Sequence, residues 1–276
     1  MQKKSKVKFY PAAMTISGSD SSGTSGIAAD LRTFNAFGVF GSCAITAISA
    51  QNPSFTRHTS VTAPRSLTTQ IETAREKIHF EYVKTGFFGS AENLSAAVEA
   101  VQKHKFELIC APEFFSPDGK KNGDEKMIKQ MKSELFPIAK WLVVNTKEAE
   151  LLTEKPCDNE KEMEQTAKAL AETYKCSIYL YGEEQFDDMI VKDGKCYTVY
   201  VTEDFVPMPL AGAKSTCAAA LTAMLALDFP WKQAVTSARA FVFGSLCQCV
   251  DVGAGVGVMY PPADDYSDFV KITEAE

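Results

Sequence analysis

Short segments that are apolar along their whole length alternate with stretches of helical period. This alternation constrains the fold more than any single motif. "AAMTIS" (12–17), "CAITAIS" (43–49), "YVKTG" (82–86), "FELICA" (106–111), "WLVV" (141–144) and "CSIYLY" (176–181) read as buried strands. "GIAADLRTFNAFG" (26–38), "SLTTQIETAREKI" (66–78), "ENLSAAVEAVQKH" (92–104) and "EKEMEQTAKALAETY" (160–174) read as helices between them. A strand without a polar face has no side to turn to water, so helices must cover the sheet on both faces. The pattern predicts an α/β fold: a three-layer α/β/α sandwich around a mostly parallel sheet. Asp193-Gly194 inside "DMIVKDGKCYTVYV" (188–201) signals one late β-hairpin. Two helices, 215–227 and 231–247, follow it. Ligands of open α/β sheets collect at the carboxyl ends of the strands. The loops after Ser17, Ser49, Val144 and Tyr181 are therefore the places to look for chemistry.

The 276 residues contain no linker-like stretch and no internal repeat, so the reading is one domain, 1–276. A net charge of −6 gives no basic face for nucleic acid or anionic lipid. No apolar run approaches the roughly 20 residues of a membrane span, and the basic start "MQKKSKVK" is not followed by a signal-peptide core. The expectation is a cytoplasmic protein with no nucleic-acid or membrane partner. The eight cysteines are scattered, lack any C-x-x-C and have no histidine near them in sequence. That pattern suits small buried hydrophobes better than zinc or disulfides.

Two stretches look chemical. "TISGSDSSGTSGIAADL" (15–31) takes a strand through a Gly/Ser loop into a helix, with exposed hydroxyls and N–H groups suited to a polar small molecule. Asp30 lies two turns into that helix on an inward-facing stretch. "PLAGAKSTCAAALTAML" (209–225) passes from turn chemistry into a small-residue helix, the way chains often present unpaired N–H groups to an anion. It is not a P-loop, because Met208 and Ala213 stand where glycines are needed. "GAGVG" (253–257) is not a dinucleotide fingerprint, since it follows a helix and Val258 replaces the last glycine.

Residues 15–52, from "TISGSDSSG" through "AISAQN", resemble the opening of the hydroxymethylpyrimidine/phosphomethylpyrimidine kinases, a branch of the ribokinase-like superfamily. The similarity returns at "VKTGFFGS" (83–90), "VVNTKEAELL" (143–152), "STCAAALTAMLA" (215–226) and "SARAFVFGSL" (237–246). It implies a ribokinase-like fold, a homodimer, and ATP-dependent phosphorylation of a pyrimidine hydroxymethyl group in thiamin synthesis. On the family pattern Gly18, Asp30 and Gln51 contact the pyrimidine and Phe87 walls its ring. Gln51 offers a donor and an acceptor, and a carboxylate accepts from a ring amine. The resemblance also implies that Asn145 and Glu148, the ends of an N-x-x-E motif, arrange Mg²⁺ near the ATP phosphates. A capping Asn with a first-turn Glu would give the same residues.

The family carries Gly-Thr-Gly-Cys at the phosphate-binding helix start, its last residue serving as base. Here the corresponding residues are read as Lys214, Ser215, Thr216 and Cys217, with the thiol kept and both glycines gone. Ala111-Pro112 replaces an Asp-Pro, and Tyr181-Gly182-Glu183 replaces a Lys before Gly-Gly. Glu113 could restore the missing carboxylate for the metal, and Lys214 the missing cation for the phosphate. Three functions stay open: a hydroxymethylpyrimidine kinase using ATP and Mg²⁺, a pyrimidine-binding homologue that has lost phosphoryl transfer, and a pyridoxal-type kinase.

Overall fold

The computed structural model describes residues 9–182, 187–203, 211–248, 250–253 and 257–275. Glu183, Met208, Pro209, Leu210, Cys249, the centre of the Gly253–Gly257 stretch and the basic start 1–8 lie outside the described residues.

The expected strands and helices are present: β1 (Ala12–Asp20), α1 (Gly26–Ala36), β2 (Phe40–Asn52), α2 (Pro64–Arg75), β4 (Tyr82–Thr85), α3 (Ala91–His104), β5 (Glu107–Cys110), β6 (Trp141–Asn145), α6 (Glu160–Tyr174) and β7 (Ser177–Tyr181). The hairpin is β8 (Asp188–Lys192) with β9 (Lys195–Val201), and the closing helices are α7 (Ala213–Ala226) and α8 (Trp231–Cys247). Asp193 and Gly194 both sit at positive φ, 52° and 78°, as the tight turn requires. Between these lie β3 (Phe55–Val61), α4 (Glu125–Gln130) and α5 (Thr146–Thr153), and near the end β12 (Val270–Glu274), with a two-residue ladder of β10 (Val250–Asp251) and β11 (Gly257–Val258).

One ten-stranded sheet runs β12-β9-β8-β7-β6-β5-β4-β1-β2-β3. Its centre, β2-β1-β4-β5-β6-β7, is parallel throughout, and antiparallel strands flank it on both sides. The period of two explains how uniformly apolar strands are used. Leu108, Cys110, Leu142, Val144, Ile178 and Leu180 pack with α2, α3 and α6. Their neighbours Ile109, Ala111, Trp141, Val143, Tyr179 and Tyr181 pack with α7 and α8. Both faces are buried, so both must be apolar.

Two edge regions depart from expectation. Residues 43–49 are only half of β2, and the strand alternates buried and exposed, with Ile48 open to solvent. The reason is its place one strand from the sheet edge. β3 carries no apolar signature because it is that edge, and among β12 residues only Val270 is buried.

Asn93 of α3 anchors this edge. Its buried Nδ2 lies 3.0 Å from the carbonyls of Thr46 and Thr62 and 3.2 Å from that of Phe88. Asn93→Ala strands these carbonyls, and urea unfolding should show a loss of about 2–3 kcal/mol. An unchanged midpoint would mean that water replaces the amide.

Candidate functional site

Above the carboxyl ends of the parallel strands lies a cavity of about 660 Å³. The carboxyl ends of β1, β2, β6 and β7 all reach it, through Gly18 to Asp20, Gln51, Asn145 and Tyr181. One wall is the Gly/Ser loop between β1 and α1. Asp20 organises that loop by accepting from the N–H and Oγ of both Ser22 and Ser25 and from Thr24 Oγ1. Gln51 faces the cavity with its backbone pinned by Ser21 Oγ and its Oε1 accepting from Thr56 at 2.8 Å. Phe87 lines the same side and packs so closely on Gly18 that a Cβ there would lie 3.1 Å from its ring.

The start of α7 abuts the Gly/Ser loop and lines the same cavity, and here the structure corrects the register of the sequence reading. The N-cap is Gly212 at φ 87°, where an added Cβ would meet Thr24 O at 2.2 Å. Only glycine fits there. The helix start is therefore Gly212-Ala213-Lys214-Ser215, two residues earlier than expected, with a glycine at its cap. The amides of the first turn have no acceptor within the helix, and Ala213, Lys214 and Ser215 line the cavity.

Cys217, expected as the base, is fully buried in the core between the sheet and α8. Burial, reinforced by the charge of Asp188, pushes its thiol up to about 12. A neutral thiol away from the cavity removes no proton, so that expectation is corrected. Thr216 is also buried away from the cavity, its Oγ1 without a hydrogen-bond partner among the described residues. Lys214 and Ser215 are the polar side chains this turn brings to the cavity.

Asp30 is corrected too. It does not share a pocket with Gln51. Its carboxylate is fully buried beneath the cavity, 2.9 Å from Lys84 Nζ, and accepts from Thr15 Oγ1 at 2.6 Å. Lys84, also fully buried, donates to Ser215 Oγ at 2.9 Å. The pair thus ties β1, α1, β4 and α7 together under the site.

The residues expected at the metal gather on one side. Asn145 caps α5 by accepting from the Glu148 N–H, and Glu148 accepts in return from the Asn145 N–H, a full capping box. Both Glu148 oxygens lie 2.6–2.7 Å from Lys214 Nζ, which also donates to the Pro112 carbonyl. Lys214 is therefore spent on the carboxylate expected to bind metal, not held free for a phosphate. Glu113 lines the cavity with Oε1 unpartnered among the described residues. Burial raises its pKa, which the charges of Lys84 and Lys214 oppose. The donor set does not fit a metal at Glu148: that carboxylate is neutralised by an ammonium, which leaves Glu113, of the two, without an ion-pair partner among the described residues. No group of three or more metal-ligating side chains occurs among the described residues.

A family model described as phosphomethylpyrimidine kinase matches residues 20–260, and the chain belongs to that family. The hydroxymethylpyrimidine/phosphomethylpyrimidine kinase of Haemophilus influenzae is 28% identical over 253 residues, covering 88% of this chain and 94% of its own. The Bacillus subtilis enzyme of the same name is 28% identical over 251 residues, covering 89% and 92%. Among solved structures, phosphomethylpyrimidine kinase from Clostridium difficile 630 superposes with a TM-score of 0.74 at 27% identity, over 84% of this chain and 99% of that one. Staphylococcus aureus pyridoxal kinase in complex with ADP gives 0.84 at 25% identity, over 97% and 100%. The fold is ribokinase-like. No helix among the described residues is long and apolar enough to cross a membrane.

Sequence reasoning missed Lys84 and Asp20. A lysine inside an apolar strand needs a buried counter-charge, and the inward Asp30 was already in view. Removing one member of a buried pair costs far more than removing both. Lys84→Met should lose about 3–5 kcal/mol in urea unfolding, and Lys84→Met with Asp30→Leu should recover most of it. Additive losses would show that the two groups do not act as a pair.

Proposed function

We propose that this chain is a phosphotransferase of the hydroxymethylpyrimidine kinase type, acting as a single domain on ATP and a hydroxymethyl-bearing aminopyrimidine or its monophosphate. The observation that carries the reading is that one cavity brings two kinds of lining together. Gly18, Gln51 and Phe87 offer an aromatic ring and a side-chain amide, and the first turn of α7 offers N–H groups in the same cavity. Aminopyrimidine edges present acceptors and an amino donor, which a side-chain amide matches.

Phosphoryl transfer asks for alignment and charge stabilisation more than for a strong base. In this reading the acceptor oxygen attacks the γ-phosphorus, the bond to the β-phosphate oxygen breaks, and ADP leaves. The α7 amides at Ala213, Lys214 and Ser215 hold the transferred group. Ser215 Oγ accepts from Lys84, so its own O–H is directed away from that lysine toward Asp30, 3.5 Å away, and its remaining lone pair orients the acceptor hydroxyl, whose proton passes to an oxygen of the transferred phosphoryl group. ATP reaches the site as its magnesium salt, while Glu148 stays paired with Lys214. Exposed Phe40, Ile48, Phe55 and Val61 along β2 and β3 support a homodimer through this sheet edge. The cytoplasm is the compartment this reading assigns.

Purified protein with ATP, magnesium and hydroxymethylpyrimidine should form ADP and the phosphorylated pyrimidine. Ser215→Ala should lower kcat by about 10²-fold with KM for the pyrimidine nearly unchanged. Faster turnover of pyridoxal would move the assignment to that branch, for which the pyridoxal kinase superposition speaks. Pyrimidine binding without turnover of either compound would leave a binding protein.

A further inference from the structure

A lysine in the first turn of α7 is placed against the helix dipole, which disfavours cations at that end. Helix stability therefore does not account for Lys214. Its surroundings do. All three ammonium donors are directed at oxygens: both carboxylate oxygens of Glu148 and the Pro112 carbonyl. Its side chain is only 11% exposed and that of Glu148 only 4%, and the capping box at Asn145 fixes the carboxylate from behind. Both residues line the cavity beside the amides of Ala213 and Ser215. An ammonium enclosed by oxygens at this separation occupies the position a small cation would take on Glu148.

We propose that Lys214 is the resident cation of this site, filling the carboxylate that would otherwise recruit a divalent metal, so that nucleotide phosphate binds without metal held by the protein. The proposal rests on the nucleotide-binding reading above. A metal entering at Glu148 would have to expel the ammonium and leave it unpaired within a site already carrying the positive end of α7. The fixed charge and the first-turn amides of α7 serve the phosphate in its place.

The test is calorimetric titration of the full chain with ADP, once in excess magnesium chloride and once in EDTA. Wild type should bind ADP with dissociation constants that agree within about threefold, whereas Lys214→Gly and Lys214→Met should bind at least about tenfold more tightly with magnesium than without. Manganese alone, followed by electron paramagnetic resonance, should bind the variants and not the wild type. The wild-type arm decides the matter even if a variant does not fold. A wild type whose ADP affinity rises tenfold or more with magnesium overturns this inference and leaves the kinase reading standing. Failure of wild type to bind ADP under either condition overturns both.

Discussion

A lysine and an aspartate sealed between the sheet and its helices set the geometry of this protein. Neither Lys84 nor Asp30 reaches solvent. Their attraction alone would not repay the loss of water, and such pairs persist where hydrogen bonds satisfy the remaining valences. Here Thr15 and Ser215 supply them from β1 and α7. The consequence is positional: a polar knot under the cavity fixes how far the first turn of α7 projects into it. Gly212, forced to positive φ against Thr24, fixes the direction from which the chain arrives.

The chemistry of the cavity follows from that placement. With the helix starting at Gly212, Ser215 meets the cavity and Cys217 turns into the core, where its thiol stays protonated. The same turn carries Lys214 across to Glu148, so two features that look separate in sequence become one neutral pair. The Asp20 loop and Gln51 complete the lining, joined to each other by the bonds between Ser21 Oγ and the Gln51 backbone.

Much of this was legible in the sequence, for physical reasons. Uniformly apolar strands announced a covered parallel sheet, and Asp193-Gly194 announced the hairpin. Gln51, Gly18 and Phe87 fell at strand ends, where open sheets bind ligands. What failed was register and pairing. A helix rich in alanine, with almost no amphipathic contrast, does not declare where its first turn begins, so Cys217 looked available and Ser215 secondary. Asp30 looked ligand-facing because its partner, Lys84, lies 54 residues away and becomes its neighbour only when β4 pairs with β1. β3 and β12 were silent because edge strands bury too little to leave a pattern.

The claim that the buried pair positions the first turn of α7 is tested most directly by amide hydrogen exchange along that helix, comparing wild type with the Lys84→Met, Asp30→Leu double variant. The Thr216 amide bonds the Gly212 carbonyl at 2.8 Å and reports on that first turn. The account predicts that Thr216 and Cys217 lose protection by about tenfold or more while residues 220–225 keep theirs. Unchanged protection at Thr216 would contradict it and leave Gly212 alone as the determinant of the helix start.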